Sequence, residues 1–342
     1  MKLHDLTTPT VVIDADLLQK NLSTMSSQLP GTRLRPHVKA HKCTELAALQ
    51  HAQGHHGFTC ATPHEVLGLA AAGWGDDLLL ANEVLHPERL RSLAAAQRTA
   101  RITVAVDSVE TVEAAAAAGL REVLVDVNVG LPRCGCAPTD AGRIADLARA
   151  RGLEVRGVMG YEGHLMMVSD RDDQAHRVET SMALLAEAHA LVGGEVVSAG
   201  GTGTHHLHTG DHSPVTEVQA GSYALMDTHY ATLGLPFVQA CWVLGTVISV
   251  GAGHAVADVG LKAASTDHGM PTVVLADGST PMVWFLSDEH VTFAARPGDV
   301  RVGDRVRVAP SHIDPTMALH DTAWLLMGEA VIDRWSIDLR GW

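Results

Sequence analysis

Residues 102–128, ITVAVDSVETVEAAAAAGLREVLVDVN, carry two short β-branched runs on either side of one alanine-rich stretch. Ile102–Asp107 and Glu122–Asn128 read as strands, the stretch between them as an amphipathic helix, and Gly119 falls where a helix-ending glycine belongs. The same unit recurs in both directions. Further strand-like runs are Leu34–Lys39, Gly57–Ala61, Asp77–Ala81, Glu154–Gly160, Glu195–Ala199 and Val215–Ala220, which makes eight. Thr62-Pro63 resembles an N-cap followed by proline at the first helical position, and Gly73, Gly152 and Gly193 stand where other helices should end. Strand–helix alternation predicts a parallel sheet covered by helices. Eight units in about 200 residues is the size of a (β/α)8 TIM-type barrel. A doubly wound open sheet would carry a glycine fingerprint after its first strand, and none is found there.

Beyond about residue 232 the pattern changes. Trp242–Val250, Ala255–Val259, Thr272–Leu275, Met282–Leu286, Arg305–Ala309 and Ala323–Asp333 are strand-like runs between Gly/Asp/Pro turns, with no convincing helix among them. The expected organisation is a barrel over residues 16–231 and a small all-β C-terminal domain over 232–342. The N-terminal residues 1–15, with Pro9–Asp14, would add a strand to that domain.

Composition excludes several classes of function. A formal net charge of −14 leaves no basic surface for nucleic acid or an anionic membrane. No stretch approaches the ~20 apolar residues of a membrane span, and the N-terminus MKLHDLTTPT lacks the pattern of a signal peptide. Five cysteines, an odd number in a chain of 342 residues, suit a reduced, cytoplasmic protein. Cys134-x-Cys136 alone is a weak metal signal and reads as structural. With 21 histidines in the chain, a lone histidine says little about a ligand site.

Barrel enzymes build their sites at the C-terminal ends of the strands. The first run ends in Arg35-Pro36-His37-Val38-Lys39-Ala40-His41-Lys42. A lysine at a barrel mouth, partly desolvated and among cations, can become the neutral amine that a Schiff base needs. From its surroundings alone, however, a solvated lysine in a basic loop is the plainer reading. The seventh run ends in Ser198-Ala199-Gly200-Gly201-Thr202-Gly203-Thr204 and the eighth in Ala220-Gly221-Ser222-Tyr223. Glycines admit an anion close to the backbone, threonine hydroxyls donate to it, and the loops after strands seven and eight are where barrels often bind phosphate. In the C-terminal domain, Pro310-Ser311-His312-Ile313-Asp314-Pro315-Thr316 continues an alternating run. On an extended strand His312 and Asp314 would project to one face, a half-site for a divalent metal.

Thr8-Pro9-Thr10, Val11-Val12-Ile13-Asp14, Asn21 and Pro36-His37-x-Lys39-x-His41-Lys42 together resemble the opening of the D-threonine aldolase and D-serine dehydratase family, pyridoxal-phosphate enzymes related to alanine racemase. The resemblance spans essentially the whole chain, and its implications are specific. Lys39 would carry the cofactor, pyridoxal 5′-phosphate. Thr202, Gly203 and Thr204, with Gly221, Ser222 and Tyr223, would hold its phosphate. Arg133 would face its phenolic oxygen, and Tyr161 would lie near its ring. Some aldolases of the group have a histidine six residues after that tyrosine; here Met167 stands there, with His164 nearby. His312 and Asp314 would bind the metal, as His-x-Asp does in the aldolases where the dehydratases have His-x-Cys. A carboxylate in place of the thiolate favours manganese or magnesium over zinc. The implied reaction is retro-aldol cleavage of a D-3-hydroxy amino acid to glycine and an aldehyde, with dehydration as the alternative, in an enzyme that is generally a homodimer. Racemisation is disfavoured because no tyrosine follows Tyr230 to act as the second base of an alanine racemase. A non-catalytic pyridoxal-phosphate-binding protein would resemble the barrel alone.

Overall fold

The computed structural model describes residues 1–210 and 213–342. The chain packs into two units. One comprises residues 1–24, 40–45 and 222–338; the other comprises 25–39, 46–221 and 339–342.

In the first unit the N-terminal strand β1 (Thr10–Asp14) is an interior strand of the sheet. All five of its residues but Asp14 are buried, because it lies between two other strands of this unit, described below.

The second unit is the barrel. Its strands are β2 (Gly57–Cys60), β3 (Asp77–Leu80), β4 (Ile102–Val106), β5 (Glu122–Asp126), β6 (Glu154–Met159), β7 (Val196–Ala199) and β8 (Glu217–Val218), parallel and hydrogen-bonded in sequence order. Each corresponds to an expected run, trimmed at one end or both. The first run is the exception. Leu34–Lys39 is not a regular strand, and Val38–Ala40 turns into a 3₁₀ helix. Residues 34–37 nonetheless bridge both edges in parallel, Leu34 to Val218 and His37 to Thr59. Arg35 N donates to Val218 O and His37 N to Ala220 O on the β8 side, while Thr59 N donates to Pro36 O on the β2 side. Pro36 has no N–H to return that bond, so the ladder to β2 cannot continue. Seven named strands and one proline-interrupted segment therefore form the ring.

The helices follow the expected punctuation. Thr62 N-caps Pro63–Ala71, its hydroxyl accepting from Glu65 N at 3.2 Å. Gly119 ends Val109–Ala118 in the left-handed region at φ 84°, where a side chain would strain the turn.

A feature unforeseen in the sequence fills the barrel at the start of its strands. Arg35 and Arg156, each 5% exposed at the side chain, share the Asp77 carboxylate: Arg35 Nη2 lies 2.8 Å from Oδ2 and Arg156 Nη1 2.7 Å from Oδ1. Arg35 also pairs with Glu217 at 2.7 Å, and Arg156 with Glu195 at 3.2 Å. The backbone is shaped for this. Register between β5 and β6 slips so that Val123 faces Val155 but Leu124 faces Gly157, which leaves Arg156 as the extra residue of a bulge. Gly157 takes φ 148°, and a Cβ there would sit 2.0 Å from Val196 O. Only glycine closes this bulge.

The rest of the first unit is β9 (Cys241–Val250), β10 (His254–Ala257), β11 (Thr272–Val274), β12 (Val283–Leu286), β13 (Val291–Ala294), β14 (Arg305–Ala309), β15 (Thr322–Met327) and β16 (Ala330–Ser336). The sheet runs β12-β13-β10-β9-β1-β15-β16, with β14 pairing both β9 and β11. Strand β1 pairs antiparallel with β9 and parallel with β15. Three details differ from the sequence reading. Ala323–Asp333 is two strands of a hairpin, broken at Gly328. The short run Val291–Ala294 is a strand of its own. Finally, Ile313–Ala318 is a helix, so His312 and Asp314 do not alternate along a strand. His312 is the extended N-cap residue and Asp314 lies in the first turn. Pro315 is compatible with that turn because its missing N–H would have had no partner there.

Candidate functional site

In the barrel unit, Lys39 sits half-buried on the one-turn 3₁₀ segment Val38–Ala40, at the C-terminal end of the segment that bridges β8 and β2. Its backbone N–H lies 3.5 Å from His37 Nδ1. After β7, Gly200–Thr204 forms a tight turn, with Thr204 N donating to Gly201 O. The turn is pressed against the segment after β6: a Cβ on Gly203 would lie 2.2 Å from Met166 O, and one on Gly201 2.9 Å from Met166 Sδ.

What fixes this turn is Glu162, which sequence reasoning passed over. It is fully buried. Its Oε1 accepts from the Thr204 hydroxyl at 2.6 Å and its Oε2 from Gly200 N at 3.2 Å, while His208 Nε2 lies 3.5 Å away. Burial works to raise this carboxyl, but the bonds from His208 and Thr204 outweigh it and hold it below its ordinary range. The Thr204 hydroxyl therefore serves the turn itself, and so do the amides of Gly200, Gly201 and Thr204, which donate to Glu162 Oε2, Thr204 Oγ1 and Gly201 O.

Arg133 and Tyr161 come together, the guanidinium 5.4 Å above the centre of the phenol ring, a cation–π pair. They line one small pocket with Asp126 and Cys134. Burial first, then its neighbour Glu83, pushes the Asp126 carboxyl well up. Burial likewise raises the Cys134 thiol to about 11 and the Cys136 thiol to about 12, which disfavours the thiolate at neutral pH. His164 is exposed and packs against Gly130.

In the other unit, Ser222–Ala224 forms a buried 3₁₀ turn. The Ser222 hydroxyl lies 3.3 Å from Asp314 Oδ1, so it orients that carboxylate. Tyr223 is fully buried, its ring 5.6 Å from that of Phe237. Around His312 the structure gathers two residues from outside the His-x-Asp motif. Ligand atoms of Asp267, His268 and His312 all lie within 4.8 Å of one another. The His268 ring stacks on His312 at 3.9 Å and 11°, and His229 packs on His268 in turn. Asp227 accepts from Ile313 N at 3.1 Å, which anchors the start of the helix. Asp267 and His268 carry no motif, and nothing in Ser265–Gly269 marks them before the chain folds.

The region 13–229 matches the model of the alanine racemase N-terminal domain, and 240–326 matches that of a serine dehydratase domain. The chain is 34% identical to a D-threonine aldolase of Arthrobacter sp., over 98% of this chain and 93% of that one. The chain belongs to the D-threonine aldolase and D-serine dehydratase family. Another relative in this family is the D-threo-3-hydroxyaspartate dehydratase of Delftia sp. (strain HT23), at 30% identity over 99% of each chain. Among solved structures, the D-threonine aldolase from Filomicrobium marinum superposes with a TM-score of 0.92 at 32% identity, covering 100% of this chain and 98% of that one. The family's enzymes use pyridoxal phosphate, and the barrel unit's groups fit it. Lys39 offers an amine for the aldehyde, the glycine turn offers Thr202 and the amide of Gly203 for a phosphate, and Arg133 offers a cation for the phenolic oxygen. Imidazole and carboxylate donors gathered without a thiol likewise fit a divalent cation.

Proposed function

We propose that this protein is a pyridoxal-phosphate- and divalent-metal-dependent aldolase that cleaves D-3-hydroxy amino acids, with D-threonine giving glycine and acetaldehyde. The observation that carries the reading is that His312, Asp267 and His268 gather only nitrogen and oxygen donors, with Asp314 in the first turn of the helix that starts after His312. The name of the 34%-identical relative supports the same reaction.

Pyridoxal phosphate, when bound, supplies the carbonyl that engages the substrate amine and a ring that accepts the electron pair of the broken bond; a divalent cation supplies Lewis acidity. The chain's own groups do the rest. Lys39 anchors the cofactor through its amine. Thr202 and the amide of Gly203, with Gly221, Ser222 and Tyr223, are proposed to hold its phosphate, while Thr204 and Glu162 keep that turn in shape. Arg133, braced on Tyr161, would neutralise the phenolic oxygen. His312 and Asp314 would hold the cation, for which the carboxylate favours manganese or magnesium and the imidazoles also admit zinc. The protein is proposed to work as a homodimer in the cytoplasm, where its five free cysteines would stay reduced. Among the described residues no helix is long and apolar enough to cross a membrane.

Dehydration is the second reading, favoured by the Delftia relative. Incubation with D-threonine, pyridoxal phosphate and manganese separates the two. Glycine plus acetaldehyde is expected; 2-oxobutyrate plus ammonia would replace the aldolase with a dehydratase.

A further inference from the structure

His312 Nδ1 lies 2.7 Å from Asp267 Oδ2. Two atoms bound to the same cation at about 2.1 Å stand roughly 3 Å apart or more at octahedral or tetrahedral angles. A separation of 2.7 Å is instead the length of a charge-assisted hydrogen bond. With Nδ1–H donating to the carboxylate, the lone pair is left on Nε2, on the opposite side of the ring.

Asp267 is itself held. The Ser265 hydroxyl donates to its Oδ1. Ser265 N donates to Thr316 Oγ1 at 3.0 Å, Thr316 Oγ1 donates to His312 O at 2.8 Å, and Ser311 Oγ donates to Ser265 O at 3.1 Å. The loop that carries Asp267 is thus laced to both sides of His312. The His268 ring, parallel to His312 at 3.9 Å, opposes rotation of the imidazole. This much bracing around an imidazole at the rim of a helix start serves no packing need, since the His312 side chain is 22% and Asp267 50% exposed.

We propose that Asp267, which lies outside the His-x-Asp motif, is the positioning residue of the cation site, fixing His312 in the tautomer and orientation that present Nε2 to the metal. The inference rests on the reading of His312 as a cation ligand. An outer carboxylate of this kind typically changes metal affinity 10–100-fold.

The test is manganese titration by electron paramagnetic resonance on cofactor-loaded protein stripped of metal by a chelator, with cofactor absorbance as the check on folding. Asp267→Ala should weaken manganese binding by about 10–100-fold. Asp267→Asn, whose amide oxygen still accepts from Nδ1–H, should lose less than about tenfold and stands in should the alanine variant fail to fold. In metal-free protein, ¹⁵N-histidine spectra should place the His312 proton on Nδ1 (assigned by difference from His312→Ala), and Asp267→Ala should move it toward Nε2. Unchanged affinity in Asp267→Ala would overturn the inference, and an equal loss in the asparagine and alanine variants would make Asp267 a ligand instead of a positioner. If His312→Ala binds manganese as tightly as the wild type, the cation site itself has been misread.

Discussion

Replacing Asp77 by asparagine should destabilise the barrel without touching the chemistry. The Asp77 carboxylate accepts from Arg156 Nη1 at 2.7 Å, Arg35 Nη2 at 2.8 Å and Arg156 Nη2 at 3.0 Å. Burial works to raise its carboxyl, but the two guanidiniums override that and hold it well below the carboxylate range. Removing one partner of a buried ion pair costs about 3–5 kcal/mol. Arg35 keeps Glu217 and Arg156 keeps Glu195, so the lower end, about 3 kcal/mol, is expected. At roughly 2–4 °C per kcal/mol for a unit of this size, the melting temperature should fall by about 6–12 °C. The assay is thermal unfolding by circular dichroism at fixed cofactor concentration, since bound cofactor also raises the transition. A group with a depressed folded pKa stabilises above its unfolded pKa and loses that stabilisation as pH falls through the folded one. The gap between wild type and variant should therefore persist from pH 7 to 5 and shrink below about pH 4. Because the network lies at the starts of the strands, kcat per folded, cofactor-loaded enzyme should stay within about twofold. A melting temperature within about 1 °C of wild type at pH 7 would refute the reasoning, since the same cost corresponds to several degrees.

Gly157→Ala should prevent proper closure between β6 and β7, because its Cβ would lie 2.0 Å from Val196 O; soluble yield and melting temperature should both drop, and wild-type stability would contradict the bulge. Glu162→Gln should loosen the Gly200–Thr204 turn by about 2 kcal/mol, the scale of a charged hydrogen bond. Spectrophotometric titration should then show cofactor binding weakened by up to about 30-fold, and an affinity within about twofold of wild type would argue that this turn does not hold the phosphate. The buried Nδ1 of His206 has no hydrogen-bond partner among the described residues, and burial with neighbouring cations pushes the ring down to about 4. The unfolded chain takes up that proton near pH 6.5 and the folded one does not, so stability should be lost as pH falls from about 6.5 toward 4. The denaturation midpoint should show this, with a shallower fall in His206→Gln.

The barrel was legible because each strand and helix signals itself within a dozen residues. The reading of Lys39 as the cofactor lysine rests on the Pro-His-x-Lys pattern, since nothing local distinguishes it from Lys42. Where one residue changes local geometry, the run alone misleads: Pro36 interrupts the bridging segment, and a helix starting at Ile313 takes Asp314 off the strand face. Asp267, His268, Glu162 and the Arg35–Asp77–Arg156 network stayed hidden because their meaning lies in partners 38 to 79 residues away or more. An arginine at position 156 inside an apolar run was the one local sign of the network, since a charge in a buried strand demands a partner.

The most direct test of the account is where the cofactor is attached. Borohydride reduction of the pyridoxal-phosphate-loaded protein, followed by peptide mapping, should find the pyridoxyl group on Lys39, and Lys39→Ala should lose both the label and the visible absorbance. A label on Lys42 or any other lysine, or an unchanged spectrum in Lys39→Ala, would contradict it.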